Sequence, residues 1–130
     1  GDGQVCKAVN LILVGTTMLG VAEALVFAAK AGVDVEKVHE AVSGGAAGSW
    51  QLSNNGARLL KGDHEPGFKI KDYIKDLGII METAAENKIP LPSTSLVLQM
   101  FRHCDAMGMR DKGTQAVSVA VEKLAGKNIK

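Results

Sequence analysis

Apolar residues crowd the first third of the chain and recur at spacings of three and four through the rest, with no stretch of convincing strand-like alternation. From Gln4 to Ala31 no proline interrupts, and Gly32 follows as a stop. At 1.5 Å per residue this predicts a helix of about 40 Å. Apolar side chains occupy nearly every side of it from Leu11 to Val14 and again from Ala24 to Ala29. A helix apolar all round is covered all round, so one side is expected to meet another chain. Asp34 then caps a short helix, Val35 to Val42, with Val35, Val38 and Val42 facing inward. SGGAAGS follows as a break or tight loop where backbone can approach a ligand. Trp50 opens the next helix, reaching about Leu60, and KGDHEPG turns the chain with Pro66 and Gly67.

Helical spacing returns from Ile70 to Asn87, where Ile70, Ile74, Leu77, Met81 and Ala84 face one way. Pro90 and Pro92 of KIPLP cannot continue it. Ser93 is expected to cap the following helix, which carries Leu96, Val97, Met100, Phe101 and Cys104 inward. GMRDKGT is a second loop, Gln115 to Leu124 the last helix, and GKNIK a frayed tail. The pattern predicts an all-α fold: one long N-terminal helix plus about five shorter ones.

With 130 residues the chain makes one domain with a single core. Aromatics are only 4% of it, so aliphatic side chains do the packing. The net charge of +1 comes from 15 basic and 14 acidic residues spread along the chain. No basic stripe interleaves with aromatics, which argues against a nucleic-acid partner. Cys6 and Cys104 show no zinc-like spacing with each other or with histidine, so no metal site is assigned. Free thiols fit a reducing cytoplasm, the expected location. Only fifteen residues separate Lys7 from Glu23, and Asn10, Gly15, Thr16, Thr17 and Gly20 dilute them. About twenty predominantly apolar residues are needed to cross a bilayer, so a buried helix is expected rather than a membrane span.

Three stretches carry candidate chemistry. Gly3, Lys7, Asn10 and Val14 share one helix face, so Lys7 and Asn10 can converge on one small ligand. An ammonium can protonate a developing alkoxide, and an amide can hold a carboxylate or carbonyl oxygen. The plainer alternative is a snorkelling lysine and an asparagine bonded to nearby backbone. In IKDYIKDLG, Lys71, Lys75 and Gly78 lie opposite the apolar stripe, either as a solvated charged face or with Lys75 reaching an anionic group beside the small Gly78. In SGGAAGSW the glycines are a simple connection or a ligand loop with Ser49 as its hydroxyl. His39, His64 and His103 read as surface or helix-face residues without a catalytic role.

In this order GDGQVCKAVN, SGGAAGSW and PGFKIKDYIKDLG resemble the C-terminal helical domain of the β-hydroxyacid dehydrogenases, over about Gly1 to Gly126. That family includes 3-hydroxyisobutyrate dehydrogenase and tartronate semialdehyde reductase (2-hydroxy-3-oxopropionate reductase). GDGQVCKAVN looks like its G-x-G-x-x-x-K-x-x-N signature, and PGFKIKDYIKDLG like its PGF…KDL segment. The resemblance implies a fold like the 6-phosphogluconate dehydrogenase C-terminal domain. It implies Lys7 as general acid in carbonyl reduction and Asn10 as a substrate holder. Ser49 and Gly45 would line the acid-binding end. Lys75 would contact the cofactor, NAD or NADP, or the substrate, with Phe68 packed near the nicotinamide. Separately, a neighbouring cation would lower the Lys7 pKa toward neutrality, and Lys75 is the candidate for it.

GDG leads into a helix without a preceding strand, so it is not the G-x-G-x-x-G loop of a Rossmann domain. The expected organisation is therefore a helical substrate-binding and dimerisation domain over 1–126 and a tail over 127–130. The Rossmann half that would hold most of the cofactor is absent from these residues. Such a piece is expected to be inactive alone, to take a small 3-hydroxy acid or its semialdehyde, and to form a homodimer or higher oligomer through the long helix. The competing expectations are a non-catalytic helical association module and a stand-alone binder of small carboxylic acids.

Overall fold

The computed structural model describes all 130 residues and contains six α-helices and no strand. The proline-free opening forms α1 (Asp2–Ala31), which ends at Gly32 in the left-handed conformation, φ +83°. Next come α2 (Val35–Ser43), a π-helical turn (Gln51–Asn55) running into α3 (Gly56–Leu60), and α4 (Ile70–Glu86). The chain finishes with α5 (Pro92–Ala106), a 3₁₀ turn (Thr114–Ala116) and α6 (Val117–Ala125).

Helices α4, α5 and α6 pack on one side of α1. Ten residues of α1 are buried, among them Met18, Ala22 and Leu25. They meet Leu77, Phe101 and Val117 in one continuous core. By length and composition alone α1 would pass as a membrane span, but half of its most apolar window is buried against the other helices. The opposite face carries Val5, Val9, Leu13 and Phe27 into the open.

The inward stripe of α4 holds at Ile70, Leu77 and Ala84, with Ile74 and Met81 half-buried, and gains a member the apolar pattern missed: Tyr73 is fully buried. Its ring stands edge-on to Phe68 and Phe101, at centroid separations of 5.8 and 4.9 Å. Burial pushes the Tyr73 phenol up from its usual range.

Several local expectations are corrected. No residue of α2 is buried, and Val42 is exposed, because α2 lies on the rim and presses only Val35 and Val38 partly inward. What ties α2 down is His39, which is half-buried. Its Nε2–H donates to the Leu52 carbonyl over 2.6 Å. Leu96 is exposed, and Leu98 takes its place in the core. Ser93 does not cap α5: Leu91 is the capping residue, and Pro92 occupies the first turn, where its missing N–H goes unneeded.

The tail is not frayed. Gly126 turns it back at φ +66°, Ile129 enters the core, and the Ile129 amide donates to Glu122 Oε2 over 2.7 Å. Burying an isoleucine contributes about 1.5–3 kcal/mol, which offsets part of the cost of ordering the residues that carry it, and the Ile129–Glu122 hydrogen bond adds to it.

Candidate functional site

Lys7 stands in the second turn of α1, beyond the point where the core closes around the helix, and its side chain is 67% exposed. Its ammonium lies 4.0 Å from Asp76 Oδ2, a carboxylate only 22% exposed. Asn10, one turn on, is exposed and unpaired by any side chain. A buried hydrogen bond sets the relation of α1 to α4. The Tyr73 hydroxyl donates to the Leu11 carbonyl over 2.5 Å. That approach requires Gly15, since a Cβ there would come 1.8 Å from the phenol oxygen. Tyr73 is three residues before Asp76 on the same helix, so the contact that seats α4 on α1 also brings Asp76 to Lys7.

The group that pairs with Lys7 is the carboxylate of Asp76, the neighbour in sequence of Lys75. Adjacent helical residues diverge by about 100°. With Asp76 turned toward α1, Lys75 falls on the other flank, in a groove between α4 and α5, where it makes no ion pair. Asp76 was missed because it reads as one more charge on a solvated face.

Phe68 is half-buried at the entry to α4, edge-on to Tyr73. A short antiparallel bridge fixes that entry: Lys69 faces Gly113, Ile70 N–H donates to Lys112 O and Lys71 N–H to Arg110 O, each over 2.9 Å. Buried Gln115 braces the preceding loop by donating from Nε2 to the Asp63 and Glu65 carbonyls. Asp111 sits between Lys71 at 3.1 Å and Lys69 at 3.8 Å, which hold its carboxyl below the usual carboxylate range.

The glycine loop is exposed from Gly44 to Gly48. Gly48 is needed for the turn itself, because a Cβ there would come 2.5 Å from the Ser43 carbonyl oxygen. Gly45 has no such constraint and leaves backbone open to approach. Ser49 Oγ accepts from the Leu52 amide over 3.0 Å and so caps the π-helical turn, leaving its own proton free to donate. Within that turn Gln51 and Asn55 are buried and joined by an Asn55 Nδ2 to Gln51 Oε1 bond of 2.6 Å. No direct hydrogen bond links Lys7, Asn10, Ser49 and Lys75 to one another.

Residues 1–121 match the family model described as the NAD-binding domain of NADP-dependent 3-hydroxyisobutyrate dehydrogenase. The chain is 44% identical over 124 residues to an Arabidopsis thaliana protein named probable 3-hydroxyisobutyrate dehydrogenase-like 1, mitochondrial, covering 95% of this chain and 37% of that one. It is 39% identical over 125 residues to the 2-hydroxy-3-oxopropionate reductase of Escherichia coli, covering 96% of this chain and 43% of that one. The chain thus spans about two fifths of the length of the curated relatives it matches. Among solved structures, the 3-hydroxyisobutyrate dehydrogenase of Salmonella typhimurium superposes with a TM-score of 0.84 at 29% identity. That alignment covers 89% of this chain and 41% of the other. The Mycobacterium tuberculosis enzyme of the same name shares the fold, with a TM-score of 0.83 at 24% identity and coverage of 92% and 43%. With the family model spanning nearly its whole length and the helical fold in agreement, the chain belongs to the 3-hydroxyisobutyrate dehydrogenase family.

Proposed function

We propose that this chain is the helical, substrate-side part of an NAD(P)-dependent oxidoreductase that interconverts a small 3-hydroxy acid and its semialdehyde, of the 3-hydroxyisobutyrate or tartronate semialdehyde type. The observation that carries the reading is the placement of Lys7: an exposed ammonium on a rigid helix, one turn from Asn10 and beside a half-buried carboxylate on α4. In the reducing direction the cofactor supplies a hydride to the carbonyl carbon. Lys7 donates a proton to the carbonyl oxygen from Nζ, and Asn10 orients the substrate through its amide. Asp76 restricts where the ammonium can swing. Gly45 and the free Ser49 proton serve the substrate's carboxylate end, while Phe68 and Lys75 face the cofactor. Most of the dinucleotide would be held by a Rossmann domain outside these residues, so the 130-residue chain alone is expected to be inactive.

The test joins this chain to the dinucleotide-binding domain of its own source locus and follows NAD(P)H oxidation with tartronate semialdehyde and methylmalonate semialdehyde. Lys7→Ala should lower kcat about 10²–10⁴-fold, the usual worth of a positioned general acid, with the fold intact by circular dichroism. Activity indifferent to Lys7→Ala would remove the assignment. A second reading, a helical association module, draws on the open apolar face of α1. It would be favoured by a stable dimer in which Lys7, Asn10 and Lys75 can all be changed without consequence.

A further inference from the structure

At the end of α1 opposite Lys7, the C-termini of α1 and α6 and the returning tail border a cavity of about 770 Å³. Small-molecule sites commonly measure about 300–1,000 Å³. The floor is apolar: Ala29 from α1, Val33 from the turn that follows, Val35 from the start of α2 and Ile129 from the tail. The rim is basic, with Lys123 from α6 and Lys127 and Lys130 from the tail. The one acidic lining residue, Glu122, is already engaged, because its Oε2 accepts from the Ile129 amide. Two helices that end together leave carbonyl groups and partial negative charge, and answering these is the ordinary duty of lysines at such a place. Here that duty is met by other groups. The Ala28 and Ala29 carbonyls accept from the Val33 and Gly32 amides, and the Glu122 carbonyl accepts from the Lys127 amide. Lys30 Nζ donates to the Ala125 carbonyl, and Lys130 Nζ to the Lys61 carbonyl over 3.1 Å. Lys123 and Lys127 are left with no carboxylate within 4.0 Å and no side-chain hydrogen bond, and the Asn128 amide is equally unbonded.

We infer that this cavity binds a small amphipathic anion: its apolar body rests on Ala29, Val33 and Val35, and its phosphate or carboxylate head is held by the Lys123 and Lys127 ammoniums, with the Asn128 amide donating beside them. Ammonium groups are compact charges with rotatable donors, so they suit either head group without demanding one geometry. The tail is what builds the site. Gly126 turns it back at φ +66° and buried Ile129 pins it, which sets Lys127 and Asn128 on the rim with Lys123. Lys7 lies about 33 Å away along α1 at 1.5 Å per residue, so an occupant here is out of reach of the reacting group. The site is therefore independent of the reaction proposed above, and its ligand is a second one. Phosphate esters and carboxylic acids share this chemistry, and the choice of probes separates them.

The experiment is a titration of the ¹⁵N-labelled chain with phenyl phosphate, benzoate and inorganic phosphate in turn, read at the backbone amides. Val33→Glu, and Lys123→Gln combined with Lys127→Gln, are run in parallel. All three side chains are exposed, so the fold should survive both changes, which circular dichroism checks. The site predicts saturable shifts at Gly32, Gly126 and Asn128 with phenyl phosphate or benzoate, weakened about tenfold or more in each variant by loss of the charged hydrogen bonds or by a like charge on the floor. Inorganic phosphate has no apolar body to bury and should bind about tenfold more weakly than the tighter aromatic anion. Saturation by phenyl phosphate alone assigns a phosphate head, and saturation by benzoate alone a carboxylate. Absence of saturable shifts, shifts centred on the Lys7–Asn10 turn, shifts undiminished in either variant, or inorganic phosphate binding as tightly as the aromatic anions would overturn the site.

Discussion

Gly15 and Tyr73 form the contact on which the seating of α4 on α1 depends. Alanine at position 15 would gain helix propensity of about 1 kcal/mol. It would also set a methyl 1.8 Å from the Tyr73 hydroxyl and 2.9 Å from Val97 Cγ1, and the tyrosine has nowhere to go between Phe68 and Phe101. Overpacking of this kind costs typically about 1–3 kcal/mol, so the clash wins and Gly15→Ala should be destabilising in urea unfolding. Tyr73→Phe alone removes one hydrogen bond, worth about 1 kcal/mol. Because the clash is chiefly with the phenol oxygen, the double variant should be more stable than the sum of the two losses implies, the signature of direct coupling. Strict additivity would show that the two residues do not press on each other.

The two thiols offer a second check at the same scale. Cys6 is exposed, whereas Cys104 is buried and its thiol is pushed up to about 11 by desolvation. A disulfide reagent at neutral pH should therefore titrate one thiol quickly and the second only on unfolding. Cys104 also gives a pH dependence whose sign is fixed. Its folded pKa lies above the unfolded value, so its contribution to stability is complete below about 9 and is lost as pH rises toward 11. Cys104→Ala should flatten that alkaline decline. Two fast thiols, or a decline unchanged by the substitution, would contradict the burial.

At the level of elements, periodicity carried most of the fold. Proline-free runs, Gly32, and the Pro90–Pro92 break fixed where helices could exist, and α1 and α4 begin and end within two residues of expectation. What the pattern could not give were features that depend on a partner across space. Val42 and Leu96 are apolar and correctly spaced, yet no neighbouring helix covers them. Tyr73 satisfies the spacing of three and four between Ile70 and Leu77, and was readable had its ring been counted as apolar. The π-helical turn at Gln51–Asn55 has no period of its own to detect; it is held by Ser49, His39 and the Gln51–Asn55 bond. The site divides the same way. Lys7, Asn10, Gly45, Ser49, Phe68 and Lys75 were legible as motif positions. Asp76 carries no motif, and only the packing of α4 against α1 reveals that its carboxylate reaches Lys7.

Taken whole, the molecule has an unbalanced long helix. Val5, Val9 and Leu13 follow one another at four-residue spacing, and Gly20, Ala24 and Phe27 continue the same face, with Phe27 75% exposed. Gly20 sits in mid-helix with no atom within 4 Å of the place a Cβ would take, a position suited to close approach by another helix. An apolar stripe the length of α1, interrupted by Thr16 within it and Glu23 at its edge, is larger than the scattered exposed side chains a monomer tolerates. A second copy of the chain, crossing α1 to α1 at Gly20, would bury the stripe of both partners symmetrically. Sedimentation equilibrium should accordingly find a dimer or higher oligomer at micromolar concentration. Leu13→Glu combined with Phe27→Glu places two charges on the seam, one on each side of Gly20, and should yield a folded monomer. Neither residue belongs to the buried core, so helicity and the protection of Cys104 should survive the change. A wild-type chain that stays monomeric throughout would mean that the stripe is covered by something other than its own copy.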